Sequence, residues 1–217
     1  MNIVFLGAPG SGKGTQASRL TKALGILSIS TGEVLRKEIL SGSQVGKLAK
    51  SYVDSGSFVP DEIMIKIVAD LVSDQQYKSG FILDGFPRNI DQAMRLDENL
   101  FRLKKEINIA LNFELSDDIL IKRISGRFSC ADCGLVYNDY FTQPLREGIC
   151  DQCCGHNFNK RSDDDEAVVK KRLSLYRQTT KDLVEYYKVK DLLITIDATK
   201  DANAVFQDVA QSCRISG

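Results

Sequence analysis

The chain has 217 residues, 43% hydrophobic and 27% charged, and its 29 basic and 29 acidic side chains cancel to a net charge of zero. This composition excludes disordered and fibrous classes, and neutrality leaves no global field for nucleic acid or an anionic membrane, so an anion site must be built from locally placed cations. No apolar run nears the ~20 residues of a membrane helix, and Met1 leads straight into Asn2-Ile3-Val4-Phe5-Leu6 with no basic leader; the expectation is a cytoplasmic protein with neither membrane nor nucleic-acid partners.

In chain order, residues 2–6 read as a strand, 13–24 as a helix and 27–30 as a strand. Helical patterns follow at 32–40, 44–55 and 60–73, a strand at 81–83, a helix at 89–98, a strand at 107–113 and a helix at 117–125. The chain ends with a helix at 164–187, a strand at 192–196 and a helix at 202–213. Strand and helix in alternation specify an α/β fold, a parallel sheet flanked by helices, with ligands at the carboxyl ends of the strands. Two stretches break the rhythm. Residues 31–59 place two helices between consecutive strands, more than a crossover needs. From Arg127 to Ser162 cysteines, glycines and turn pairs such as Asn138-Asp139 replace the helical period. The expected division is a core of 1–29, 60–126 and 164–217, a small helical domain at 30–59 and an inserted subdomain at 127–163.

Gly7-Ala8-Pro9-Gly10-Ser11-Gly12-Lys13-Gly14-Thr15 follows the first strand and opens the first helix. In that context the amides of Gly10 to Thr15 can face phosphate oxygens, the helix N-terminus adds a favourable dipole, and Lys13 brings a mobile charge to the β- and γ-phosphates of a nucleotide. The plainer alternative is a tight turn with a solvated lysine. Gly14 stands where the generic motif has a magnesium-binding hydroxyl, which points away from GTPases and motor ATPases. Asp84 ends the 81–83 strand, where a carboxylate can hold Mg2+ through water, and Arg88 can fork onto a phosphate. Taken singly, Asp84 reads as a helix cap or as a partner of Arg88.

Cys130-x2-Cys133-x16-Cys150-x2-Cys153 has the paired-hook spacing of a structural Zn2+ site. Cys154 could replace Cys153; iron at the four thiolates, two disulfides, or free thiols are the other readings. Four protein ligands leave no open position, so such a metal is a staple and not a catalyst. Cys213 reads as a small buried apolar residue and His156 as a polar loop residue.

G-A-P-G-S-G-K-G-T at 7–15, T-G-E-V-L-R at 31–36, D-G-F-P-R-N-I-D-Q at 84–92, R-I-S-G-R at 123–127, R-S-D-D at 161–164 and K-R-L at 171–173 together resemble the adenylate kinase family. The resemblance spans essentially the whole chain. It implies a monomer that transfers a phosphoryl group reversibly from ATP to AMP, giving two ADP, with Mg2+. Thr31, Arg36, Gly85, Phe86, Pro87, Arg88 and Gln92 match AMP contacts, with Gln92 reading the adenine edge and the two arginines holding the phosphate. Ser57, Phe58 and Val59 match a main-chain contact to the same base, with Ser57 where some relatives have lysine. Arg123, Arg127, Arg161 and Arg172 match arginines that close over the phosphates, the last two reaching AMP, and with Lys13, Asp84 and Arg88 they form the implied catalytic set. Val136, Tyr137 and Lys200 match positions beside ATP, and Asp163 and Asp164 an acidic pair of the lid. The 30–59 segment is then the AMP-binding domain, and 127–163 a lid that shuts out water. Rival readings are a kinase of UMP or CMP and, from another class, a nucleotide-regulated zinc-ribbon that binds nucleic acid, against which the neutral charge weighs.

Overall fold

A computed structural model describes residues 1–161 and 164–214; Asp163, expected in the lid's acidic pair, lies outside the described residues with Ser162 and 215–217. The elements are β1 (Asn2–Gly7), α1 (Lys13–Leu24), β2 (Leu27–Ser30), α2 (Thr31–Ser41), α3 (Gln44–Asp54), α4 (Asp61–Ser73), β3 (Phe81–Asp84), α5 (Ile90–Arg102) and β4 (Ile109–Glu114). After these come α6 (Asp117–Ser125), β5 (Arg127–Cys130), β6 (Val136–Asn138), β7 (Phe158–Asn159), α7 (Glu166–Val189), β8 (Leu193–Asp197) and α8 (Ala202–Ser212). Among the described residues no helix is long and apolar enough to cross a membrane.

Strands β2, β3, β1, β4 and β8 form one parallel sheet in that order. The chain therefore fills one side of β1 before crossing to the other, which leaves a crevice at the carboxyl end of β1. Side chains alternate between faces along β1. Val4 and Leu6 pack with Val68, Leu96, Leu100 and Tyr187 on the side of α4, α5 and α7, while Ile3 and Phe5 pack with Leu20, Val205 and Val209 on the side of α1 and α8. Every residue of β1 is buried, which is why the strand reads as an unbroken apolar run.

Strands β6, β5 and β7 form a separate antiparallel sheet whose core is only Cys130, Tyr137 and Cys150, backed by Phe128, Leu135 and Phe158 among others. These strands have three, four and two residues, too few for a two-residue period to show, and the sequence reading did not include them. Several boundaries also differ from that reading, most of them by a single residue. The 107–113 strand begins at Ile109. The 89–98 helix runs on to Arg102, because Leu100 is buried four residues beyond Leu96 on one face. The 164–187 helix starts at Glu166, since the Asp165 carboxylate caps it by accepting from the Ala167 N–H at 2.9 Å.

Candidate active site and metal centre

The loop between β1 and α1 is shaped by close packing. Gly10 has φ +80°, and a Cβ there would lie 2.6 Å from Ile124 Cγ1 of α6, so both conformation and space require glycine. Lys13 Nζ donates to the Gly7 and Ala8 carbonyls at 2.7 and 2.8 Å and to Ser11 Oγ at 3.2 Å. Burial lowers its pKa to about 8; Asp84 opposes the shift, and Arg88, Arg172 and Arg127 add to it. Asp84 faces this loop from the next strand, its Oδ2 lying 3.8 Å from where a Cβ on Gly14 would be. Burial raises the Asp84 pKa against the pull of Lys13 and Arg88. An oxygen donor at the mouth of a phosphate loop suits a hydrated hard cation such as Mg2+.

The acceptor side is built from the loop after β3. Gly85 has φ +84°, and a Cβ on it would meet Thr31 Oγ1 at 2.7 Å, so the start of α2 can lie against this turn. Arg88 Nε donates to the Gly85 carbonyl at 2.8 Å, and the guanidinium sits 4.7 Å from the Phe58 ring centroid. Burial first, then Arg172, lowers the Arg88 pKa to about 10, still charged at neutral pH. Arg36, Ser57, Phe58, Val59, Gly85, Phe86, Arg88, Gln92 and Arg172 all line one cavity of about 50 Å³. Thr31 lies buried beside it and Pro87 is buried in the loop.

The expected lid residues are placed differently from one another. Arg127 forks onto Asp164, with Nε to Oδ2 at 2.8 Å and Nη2 to Oδ1 at 2.5 Å, tying the two ends of the subdomain together. Arg123 sits 5.9 Å from the Phe141 ring, its pKa lowered by burial. The Arg161 carbonyl accepts from the Asp164 N–H at 3.2 Å. Val136 is exposed, but Tyr137 is only 2% exposed, packed into the core of the small sheet. Lys200 is exposed and paired with Asp208 at 2.7 Å.

The sulfurs of Cys130, Cys133, Cys150 and Cys153 lie within 4.8 Å of one another. Cys130 and Cys153 are 3.5 Å apart, as are Cys133 and Cys150; a tetrahedron with metal–sulfur bonds of about 2.3 Å sets sulfurs about 3.8 Å apart. The donor set fits a four-coordinate metal. Cys154 is exposed and outside the cluster, and all six cysteines are free thiols. Although the Gly155 N–H favours its thiolate, hydrogen bonding with Cys133 and Cys130 pushes Cys153 up to about 12. Cys150, despite burial, is drawn down to about 6 by the Tyr137 hydroxyl and backbone N–H groups. A bound cation is what allows four such neighbours to ionise together. Cys213 is buried, and His156 is exposed with its Nδ1 3.1 Å from the Gly148 carbonyl oxygen.

The chain matches the family model described as Adenylate kinase over residues 5–192. The chain belongs to the adenylate kinase family. Among its relatives, the adenylate kinase of Thermodesulfovibrio yellowstonii is 44% identical over 209 residues, covering 96% of this chain and 97% of that one. That of Methanosarcina barkeri is 44% identical with 96% of each covered, and that of Caldicellulosiruptor bescii 47% identical with 89% of this chain and 90% of the relative covered.

Within this adenylate kinase site, the sequence reading did not single out Asp61 or Asn89. Gln92 Nε2 donates to Asp61 Oδ1 at 2.6 Å, and Asn89 Nδ2 donates to Asp61 Oδ2 at 2.8 Å. In sequence Asp61 is a helix first-turn acid and Asn89 an N-cap; their meeting depends on α4 lying beside α5, which no local pattern states.

Proposed function

We propose that the chain transfers a phosphoryl group reversibly between ATP and AMP, in line, at the carboxyl ends of β1 and β3. The observation that carries this reading is the convergence of Lys13, Asp84 and Arg88 beside the cavity that Gln92 lines. Lys13 neutralises the β- and γ-phosphates of ATP held by the loop from Gly10 to Thr15. Arg36, Arg88 and Arg172 draw in the acceptor phosphate, whose oxygen is already negative at neutral pH, so no general base is required. Mg2+ bound with ATP supplies charge neutralisation to the transferred group, and Asp84 would hold it through water.

Closure of the lid, 127–163, brings Arg127 and Arg161 to the phosphates beside Arg123 of α6; Arg127 then exchanges Asp164 for phosphate oxygen. Val136, the Tyr137 main chain and Lys200 flank the donor nucleotide. The segment 30–59 is the acceptor domain, and 1–29, 60–126 and 164–217 the core. A cavity of about 50 Å³ is far below the ~300 Å³ of a small-ligand site, so the acceptor domain swings outward to admit AMP. Zn2+ at Cys130, Cys133, Cys150 and Cys153 staples the lid. The working unit is a cytoplasmic monomer. A coupled assay with ATP and each monophosphate tests the reading: AMP is turned over and CMP, UMP and GMP are much poorer, whereas CMP or UMP turning over as fast as AMP overturns the adenine assignment.

A further inference from the structure

Gln92 is 1% exposed, and its carboxamide is gripped from two sides. Oε1 accepts the Arg88 N–H at 2.8 Å, and Nε2 donates to Asp61 Oδ1 at 2.6 Å. Asp61 is itself held, because Oδ2 accepts from Asn89 Nδ2 at 2.8 Å, and Asn89 is held by capping α5, its Oδ1 accepting the Gln92 N–H at 2.9 Å. A carboxamide has two N–H donors and an oxygen with two lone pairs. With one of each engaged, one donor and one acceptor remain for the cavity that Gln92 lines.

A primary amide has nearly the same shape after a half turn about its last bond, which exchanges its oxygen and nitrogen. A freely turning glutamine therefore serves a 6-aminopurine, with an acceptor at N1 and a donor at C6, as readily as a 6-oxopurine, where the two are reversed. Here the half turn sets Oε1 against the Asp61 carboxylate and an Nε2–H against the Arg88 N–H. Two hydrogen bonds become two repulsions in a buried position, where unpaired polar groups are most costly.

We propose that Asp61 is a specificity-determining positioning residue: by locking the Gln92 carboxamide it makes the acceptor cavity select a 6-aminopurine nucleoside monophosphate over a 6-oxopurine one. The inference rests on Gln92 reading the base edge, as proposed above. Asp61 acts through Gln92, so its removal changes discrimination between bases and leaves phosphoryl transfer at saturation nearly intact.

The test measures kcat and KM for AMP and for inosine monophosphate in the native protein, Asp61→Ala, Gln92→Ala and the double variant, with melting curves for each. In Asp61→Ala the ratio of kcat/KM for AMP over that for inosine monophosphate falls at least tenfold, through KM, with kcat for AMP within about threefold of native. The double variant falls no further than Gln92→Ala, because both act through one amide. Should Asp61→Ala not fold, Asn89→Ala, which frees one side of Asp61, carries the same expectation with a smaller fall. An unchanged ratio in the folded Asp61 or Asn89 variant, while Gln92→Ala collapses it, overturns the inference and leaves Gln92 as the reader. An unchanged ratio in Gln92→Ala overturns that reading, and the inference with it.

Discussion

Lys13 is the residue whose environment most constrains its behaviour, since it is packed among cations and satisfied by carbonyls of its own loop. Replacing it with methionine removes the charge that opposes the growing negative charge of the transition state; kcat is expected to drop roughly a hundredfold to a thousandfold with the melting temperature little changed. Near-native turnover in Lys13→Met sinks the assignment of the loop. The lowered pKa has a second consequence. Between about 8 and 10.5 the unfolded chain holds a proton that the folded chain has released, so this group makes the ligand-free protein more stable as pH rises through that window. A bound polyphosphate favours the charged amine instead. ATP binding at pH 8.5 is therefore expected to take up a proton, and affinity to weaken as pH climbs past about 8. Calorimetric titrations in buffers of different ionisation enthalpy check this: binding heat should vary with the buffer in the native protein and not in Lys13→Met.

Among the elements, the small sheet has the least of its own to hold it, since its core amounts to a few rings and the cysteines. Phe128 and Tyr137 stack with centroids 5.6 Å apart and Phe158 meets them edge-on at 5.6 and 5.8 Å, an apolar area too small to offset the ordering of so much loop. A metal held by the four thiolates would therefore supply folding free energy to this small sheet. Elemental analysis is expected to find one zinc per chain, and Cys130→Ser or chelation in mild denaturant to lower the melting temperature. Turnover at low temperature should largely survive in either case, because a closed coordination sphere offers nothing to the substrate. Loss of activity as complete as in Lys13→Met, with the lid still folded, would contradict a purely structural metal.

For the molecule as a whole, stability resides in the two cores that sandwich the parallel sheet. Leu100 is fully buried in one of them, on the last turn of α5 and away from the phosphate loop. Leu100→Ala is expected to cost about 2–5 kcal/mol, read as a lower urea midpoint at unchanged slope, with kcat per folded molecule unaltered. Altered kcat in the folded fraction would show instead that this core is coupled to the site.

The sequence by itself determined the features whose signal is local. The short apolar stretch at 2–6 marked β1, a glycine run and lysine between strand and helix marked the phosphate loop, and the hook spacing marked the cysteines that now cluster. In each case chemistry and backbone period occupy one short stretch, so neighbours along the chain are neighbours in space. Tertiary structure alone decided the insertion of β3 between β2 and β1, the short lid strands, the fork of Arg127 on Asp164, the Tyr137 hydroxyl on Cys150 and the grip of Asp61 on Gln92. The physical reason is common to all of them. A polar side chain can satisfy itself with water, a cap or any of many partners, and which one it meets is settled only when apolar faces elsewhere have fixed how the elements pack.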